Sequence, residues 1–196
     1  MRFDQLRELH YICHSANIPS VLLRGILCHD EASKHEHEDI SMQDVQDRRK
    51  NRAVPGGLPL HGYVNLYFHA RNPMLYKRLE KHEELCVLGV DKNVINIKES
   101  VITDGNAASE YIRFYKGVEG LEHLDYDLVF AEFWNDKDPV RRMEKKRMKC
   151  SEVLIPGRVE AEYIRCIYVS NEKTLRKISG MNTGIDVIIN NNLFFG

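Results

Sequence analysis

The sequence predicts an α+β fold in a single domain that spans residues 1–196. Segments with strand-like patterns dominate the second half of the chain, and segments with helical spacing lie between them. With 43% hydrophobic residues, 196 residues are enough for one substantial core and too few for two. No internal repeat or low-complexity tract interrupts the pattern.

The first part of the chain is predicted to contain a strand, a helix and a long loop. Residues 9–14, LHYICH, read as a short strand, and Ile18 and Val21 in the next segment lie at helical spacing. Gly25 is expected to end that helix. The polar segment 31–59 is predicted to be irregular, and its length indicates a functional loop.

The rest of the chain is predicted to hold most of the strands. Residues 63–68 alternate aromatic and polar side chains, and Asn72-Pro73 is expected to turn the chain into a short helix. Residues 107–124 are predicted to be helical, with Tyr111, Phe114 and Tyr115 on one side, and residues 125–149 mostly helical with a break at Pro139. The other strand candidates are ELCVLGVD (84–91), one or two strands in VINIKESVITDGN (94–106), SEVLIP (151–156), IRCIYVS (164–170) and DVIINNNLFF (186–195).

Composition and charge exclude several classes of protein. The formal net charge of -1 excludes a broadly cationic nucleic-acid-coating protein. No apolar run approaches the roughly 20 residues of a membrane span, and the start MRFDQLRELHYICH is not typical of a secretory signal. Five widely spaced cysteines without a CxxC pair argue against a disulfide framework and a structural zinc site. We therefore expect reduced thiols and a cytoplasmic location.

Two kinds of polar cluster leave alternatives open. In KHEHED (34–39), two histidines stand two residues apart, which fits either a metal site or a solvated loop; with no third ligand at a recognisable spacing, we predict no metal. The basic clusters QDRRKNR (46–52) and RRMEKKRMK (141–149) are local positive patches on a nearly neutral chain. Such patches suit the guidance of a polyanion.

One carboxylate stands out in KCSEVLIPGR (149–158), because Glu152 comes at the head of the apolar run 153–155 and follows a basic segment. An acid on the first residue of a buried strand, facing a cleft lined with cations, is a candidate catalytic group. The alternative is a carboxylate at the rim that pairs with Arg147 or Lys149. The residues alone do not separate these two interpretations.

Three segments together resemble the DarT family of NAD-dependent DNA ADP-ribosyltransferases, the toxin halves of bacterial toxin–antitoxin pairs. They are LHYICHSANIPSVL, VQDRRKNRAVPGGLPLHGYVNLYFHARNPMLY and KCSEVLIP, and TDGNAA (103–108) and NNLFF extend the likeness over nearly the whole chain. The chain departs from the family pattern at His10-Tyr11-Ile12-Cys13-His14 and at Gly62. The resemblance implies an ADP-ribosyltransferase-like split β-sandwich core with flanking helices, NAD as co-substrate and no metal.

The resemblance also assigns site residues. It implies that Glu152 is the catalytic acid, which stabilises the positive charge that develops on the ribose carbon when the nicotinamide bond breaks. It places Arg49 in the site as a second catalytic residue and as a ligand of the NAD pyrophosphate, which a guanidinium binds with a bidentate fork. The other cofactor-binding residues that it implies are Tyr11, Ile12, Cys13, Ser20 and Leu27.

For the acceptor, the resemblance implies a nucleic-acid surface in which cations meet phosphates and aromatic residues stack on bases. Within it, Arg71 would meet a phosphate and Asn72 a base edge, and His61 would line the same cleft. The residues assigned to DNA binding are Arg71, Asn72, Pro73, Met74, Leu75, Tyr76, Tyr67, Arg141, Arg142, Lys145, Arg147 and Lys149.

The implied reaction is transfer of ADP-ribose to a base of single-stranded DNA, with thymidine favoured over guanosine because of TDGNAA. Because such modification of DNA would be toxic to the cell, the resemblance implies a partner antitoxin with an ADP-ribose-removing macrodomain. We expect the chain to be monomeric and to bind no membrane. Two alternatives stay open. One is an ADP-ribosyltransferase that acts on RNA or protein, and the other is a non-catalytic single-strand-binding module.

Overall fold

The computed structural model describes residues 1–195, so that Gly196, the last residue of the predicted domain, lies outside the described residues. It has a mixed α and β fold built on an eight-stranded sheet in the order β10-β9-β4-β1-β3-β7-β5-β6, with a separate pair β2-β8. The pairing is antiparallel except between β9 and β10. The strands are β1 Glu8–His14, β2 Ile26–Leu27, β3 Tyr63–Tyr67, β4 Leu85–Asp91, β5 Val101–Thr103, β6 Phe114–Lys116, β7 Glu152–Pro156, β8 Arg158–Val159, β9 Ile164–Val169 and β10 Asp186–Ile189.

The large sheet is split between β1 and β3. These strands share one register pair, His10 with Tyr67, whereas β1 pairs with β4 and β3 pairs with β7 along most of their length. Buried apolar side chains pack on the sheet in three clusters, the largest of which includes Leu9, Leu66 and Val153. The split therefore leaves a gap between two well-packed halves, where a ligand can approach strand backbone.

Seven helices flank the sheet in the described part of the chain: α1 Ile18–Arg24, α2 His29–Ala32, α3 Gln43–Lys50, α4 Pro73–Tyr76, α5 Tyr126–Phe130, α6 Pro139–Met148 and α7 Glu172–Ser179. Gly25 ends α1 as predicted. It has a positive φ of 81°, and a side chain there would clash with the backbone of Val159, so glycine is required where β2 meets β8. None of the helices in residues 1–195 is long and apolar enough to cross a membrane.

Most predicted elements are present, but the predictions for two internal segments are wrong. The segment 31–59 is not wholly irregular, because it contains α3 and the end of α2. Residues 107–124 are not a helix, because they form turns, β6 and a 3-10 turn over Val118–His123. Tyr111 is 93% exposed with a positive φ of 59°, so its spacing with Phe114 did not report a buried helical face.

The C-terminal strand candidate is shorter than predicted. Only Asp186–Ile189 pair as β10, and a 3-10 turn follows over Asn191–Leu193. Phe194 and Phe195 are buried, but against β4 and α4 residues rather than in a strand. The predicted strand over 186–195 is therefore confirmed only for its first four residues.

Candidate active site

A cleft of about 400 Å³ lies over the split in the sheet. Its floor comes from β1 and β3, its walls come from α3 and from α4, and the segment 37–42 closes one end. Polar and apolar side chains both line it, which is typical of a small-molecule site. The β-sheet split thus creates the space, and the helix found inside the predicted loop covers it.

Glu152 is the first residue of β7 and lies opposite Tyr67 of β3 in the register. Its backbone N–H donates to the Thr103 hydroxyl over 3.2 Å, and that hydroxyl donates to the Gly105 carbonyl over 2.7 Å. The side chain has no exposed surface, so the carboxylate lies one layer below the cleft. Strand pairing and the Thr103 contact fix the acid from two sides.

Arg49 covers this carboxylate from α3. Its Nη1 donates to Glu152 Oε2 over 3.1 Å, and Arg49 as a whole is only 5% exposed. Its Nη2 is buried and has no hydrogen-bond partner among the described residues. Buried donors are normally paired, so this nitrogen is available to an anionic ligand in the cleft.

The surroundings of the Arg49–Glu152 pair shift the pKa of Glu152 and of the neighbouring Tyr67 hydroxyl. Burial raises the pKa of Glu152, and the charge of Arg49 and its hydrogen bond oppose that rise. Burial also raises the pKa of Tyr67, and the nearby Glu152 charge adds to the rise. The alternative interpretation of Glu152 as a rim carboxylate is wrong, because its partner is Arg49 and it is fully buried.

The predicted cofactor-binding segment lies largely at the cleft. Tyr11, Ile12 and Cys13 of β1 line it, and so does Leu27 of β2. Ser20 lies on α1, outside the cleft lining. Cys13 Sγ is 3.6 Å from Cys86 Sγ on the neighbouring strand, and both thiols are buried, as expected of packing cysteines.

The segment 71–76 divides between the cleft and the core. Pro73 and Met74 line the cleft, and Tyr67 lies on its floor. Asn72 is fully buried and caps α4, because its side-chain oxygen accepts from the backbone N–H of Met74 and of Leu75. The prediction that Asn72 meets a base edge is therefore wrong, and Leu75, which is also fully buried, is a core residue.

Arg71, predicted to meet a phosphate, is partly buried and already contacts the C-terminal segment. Its guanidinium lies between the rings of Phe133 and Phe195, 5.4 and 4.5 Å from their centroids, and donates to the Phe194 carbonyl. Tyr76 is 50% exposed and packs edge-on against Trp134. Arg71 therefore holds the C-terminal segment beside α4, and the predicted contact with a phosphate would compete with these contacts.

The basic segment of α6 also divides into two groups. Arg141 and Arg142 are exposed, as a phosphate-binding surface requires. Lys145 pairs with Asp136 over 2.8 Å, and Arg147 pairs with Asp104 over 2.5 Å. For these two residues the predicted contact with a DNA backbone would cost an existing ion pair.

Lys149 contradicts its predicted role more clearly, because it is only 2% exposed. Its ammonium donates to the Ala131 carbonyl over 2.7 Å and to His69 Nδ1 over 2.9 Å. Burial lowers the pKa of Lys149 to about 8, and burial together with the Lys149 charge lowers that of His69 to about 3. Lys149 is an internal connector and cannot reach a DNA backbone.

The comparison with known families decides the relationship. A family model described as "ssDNA thymidine ADP-ribosyltransferase, DarT" matches residues 10–195. The chain belongs to the DarT family. A DNA ADP-ribosyl transferase-DNA ADP-ribosyl glycohydrolase fusion protein of Thermosipho africanus (strain H17ap60334) is 33% identical over 205 residues, which covers 98% of this chain and 50% of the fusion protein. The chain thus spans about half the length of that relative.

Solved structures support the same fold. The DarT of Thermus sp. 2.9 in complex with ADP-ribosylated ssDNA superposes with a TM-score of 0.85 at 21% identity, covering 100% of this chain and 99% of that one. The same protein in complex with NAD+ gives a TM-score of 0.80 at 20% identity, covering 97% of this chain and 98% of that one. At this level of identity the likeness establishes the fold, and the split sheet predicted for this family is confirmed.

Sequence reasoning missed several residues of this DarT cleft. Asn106 and Ser109 line it from the turn after β5; Asn106 belongs to TDGNAA, and Ser109 directly follows that segment. His29 also lines it, with its ring 4.0 Å from that of His61. His61 itself lies just behind the lining rather than on it. Within residues 1–195 no cluster of three or more potential metal ligands is present, and His35 and His37 are exposed.

Proposed function

We propose that this chain transfers ADP-ribose from NAD to a base of single-stranded DNA and releases nicotinamide. The observation that carries this proposal is the Arg49–Glu152 pair, buried beneath a cleft at the split of the sheet. A carboxylate below the floor and a guanidinium with a free donor above it provide the two charges that breakage of the nicotinamide–ribose bond requires. DarT family membership supports the assignment.

The cleft fits NAD by the chemistry of its lining. The backbone of Tyr11, Ile12 and Cys13 can bind the nicotinamide amide, because on the side of β3 it has no strand partner in the described residues. The unpaired Nη2 of Arg49 supplies a donor for the pyrophosphate. Leu27 offers an apolar contact on the other side, and Ser20, which lies outside the cleft, is not included in this assignment.

Glu152 would stabilise the positive charge on the ribose carbon. Arg49 covers that carboxylate, so NAD can reach the acid only if the guanidinium moves toward the pyrophosphate. In this exchange the Arg49 guanidinium leaves Glu152 for the pyrophosphate, and the Glu152 carboxylate becomes free to face the positive charge on the ribose carbon. Arg49 therefore serves both as an anion ligand and as the cover of the catalytic acid.

The acceptor base would enter between Tyr67 and Met74. Both line the cleft beside Cys150, and the exposed Lys77 and Lys146 flank the same end. Cations at the mouth can hold phosphates while the base is inserted. Thymidine rather than guanosine is proposed as the base, supported by the TDGNAA segment, whose Asn106 lines the cleft, and by the description of the family.

The setting of this activity is also a proposal. A partner that removes ADP-ribose through a macrodomain fits the glycohydrolase fused to the Thermosipho africanus relative. We propose that the chain acts as the toxin of such a pair. We further propose that residues 1–196 act as one domain and as a monomer in the cytoplasm, where NAD and DNA are both available.

The proposal is tested by incubating the chain with NAD that carries a label on its ADP-ribose moiety and, separately, with single-stranded DNA, RNA or a protein mixture. Label on DNA alone, on thymidine after digestion, is the expected result. Label on RNA or protein instead would favour the alternative acceptors. Binding to DNA without nicotinamide release would indicate a non-catalytic binding module.

A further inference from the structure

Helix α3 carries Arg49, but few features within the helix itself fix its position. It has eight residues, no side-chain cap at its N-terminus, and Arg49 as its one buried residue. Helices of this length are unstable in isolation, so contacts outside the helix must fix its place. The position of the arginine over Glu152 depends on those contacts.

Two side chains of α3 hydrogen-bond to residues outside the helix in the described structure. One is Arg49, through Glu152, and the other is Gln46, whose side-chain oxygen accepts from His61 Nε2 over 2.9 Å. Gln46 and Arg49 are three residues apart and so project from the same face. The other side-chain hydrogen bonds of α3, from Gln43 and Arg48, stay within the helix.

His61 is itself held firmly. It lies in the 3-10 turn Leu60–Gly62, which leads directly into β3, and Leu60 is fully buried. Its ring packs on the ring of His29 at 4.0 Å with an interplanar angle of 34°. Burial and the neighbouring His29 lower the pKa of His61, which favours the neutral ring. The ring is thereby clamped between α2 and α3.

We propose that His61 is a positioning residue that holds α3 through Gln46 and so keeps Arg49 over the catalytic acid. The inference rests on the proposed function, in which Arg49 leaves Glu152 when NAD binds. At that moment α3 loses its only other side-chain hydrogen bond to a residue outside the helix within residues 1–195. The His61–Gln46 contact then keeps the helix in place while the arginine changes partner.

The experiment compares Gln46→Met with Gln43→Met, a matched control on the same helix whose side chain donates only to Asp47 within α3. We expect the kcat for nicotinamide release to fall roughly tenfold or more in Gln46→Met, because small displacements of catalytic groups have effects of this size. The KM for NAD should change less. Gln43→Met should behave as the parent, and both variants should melt at similar temperatures.

A double-variant cycle separates positioning from a direct contact of Gln46 with NAD, since Gln46 also lines the cleft. His61→Leu should reproduce the loss, the double variant should be no worse than the poorer single variant, and His61→Gln should recover much of the rate because it retains a donor. Equal rates for Gln46→Met and Gln43→Met, or losses that multiply in the double variant, would overturn the inference. A parent that releases no nicotinamide with any acceptor would instead defeat the proposed function, and this inference with it.

Discussion

Two basic segments look alike in the sequence and are used in opposite ways. In QDRRKNR (46–52) one arginine, Arg49, turns inward and binds a buried acid, while its neighbour Arg48 pairs with Asp44 at the surface. In RRMEKKRMK (141–149) the inward cations bind groups that have no place in the site. Charge density is therefore a poor guide to function here, and the identity of the buried partner is the better one.

The difference arises from helical phase and from what lies opposite each helix. Arg49 is one turn from Gln46 on the face of α3 that covers the split sheet. On the inward face of α6, Lys145 pairs with Asp136 and Arg147 pairs with Asp104. Lys149, directly after the helix, is buried and donates to the Ala131 carbonyl. Arg49 lies opposite an acid held on a strand at the cleft, which supports the role proposed for it, whereas Lys149 lies opposite a loop carbonyl and holds the loop.

The largest effect should come from Glu152→Gln, which keeps an acceptor for Arg49 but removes the charge. Loss of a preorganised charge of this kind typically lowers the rate by about 10² to 10³. Initial rates of nicotinamide release, with Glu162→Gln as an exposed control, would measure it. A Glu152→Gln variant as fast as the control would remove Glu152 from the mechanism.

The pH dependence of the parent tests the same residue. Because the folded pKa of Glu152 is raised, the carboxylate should become protonated, and activity should fall, at a higher pH than an ordinary glutamate would require. The acid limb of the kcat/KM profile for NAD, which reports groups of the enzyme before NAD binds, should therefore lie above the ordinary glutamate value of 4.5. A limb at or below that value would show that the ionisation of Glu152 does not control the rate.

The next largest effect should come from Arg49→Lys, which keeps the charge but loses the fork. An ammonium cannot both cover Glu152 and bind a pyrophosphate through two parallel hydrogen bonds, so we expect kcat/KM for NAD to fall roughly tenfold to a hundredfold. The exposed Arg24→Lys at the end of α1 is the control. Unchanged constants in Arg49→Lys would reduce Arg49 to a structural partner of Glu152.

Sequence reasoning found the elements whose signal is local. The apolar runs of β4, β7 and β9 and the glycine that ends α1 follow from periodicity and backbone sterics. The predicted helix at 107–124 failed because its aromatic spacing was not a burial pattern: Tyr111 points to solvent and Gly117 has a positive φ. Periodicity predicts a helix only when the periodic residues share a buried face.

The site was predicted through the family resemblance rather than through local patterns. Pairing of Glu152 with Arg49 joins residues 103 positions apart, and no spacing rule reports such a contact. For the same reason Asn72 and Lys149 were wrongly assigned to DNA binding. Their polar groups look available in the sequence, but in the structure they hydrogen-bond to nearby backbone groups. Whether a polar group is free depends on tertiary packing.

The variant Lys149→Met should lower the stability of the fold, which tests whether the inward cations of segment 141–149 are structural. The change leaves the Ala131 carbonyl without its donor, so we expect a loss of about 1–3 kcal/mol in the free energy of unfolding near neutral pH. Chemical denaturation with matched measurements on the exposed Lys137→Met would show it. A loss confined to DNA binding, with unchanged stability, would restore the predicted contact with the DNA backbone.

The sign of the pH effect at Lys149 follows from its depressed pKa of about 8. Between about pH 8 and its ordinary value of 10.5, the unfolded chain holds a proton that the folded chain has released, so this residue makes stability rise with pH. The difference in stability between parent and Lys149→Met should therefore grow in favour of the parent across that window. A difference independent of pH would contradict burial of the ammonium.

The smallest effect should come from the exposed cations of α6, in the variant Arg141→Gln/Arg142→Gln. If both meet phosphates, the variant should weaken binding to all single strands alike and reduce the slope of log K against log salt by about 0.7 for each charge. Lys145→Gln is the matched control on the same helix, because its ammonium is already paired with Asp136 and should contribute little to that slope. Titrations of oligonucleotides of several sequences at two salt concentrations measure both quantities. An equal change of slope in Lys145→Gln, or a change in sequence preference in the double variant, would mean that α6 does not divide into an outward DNA-facing group and an inward structural group.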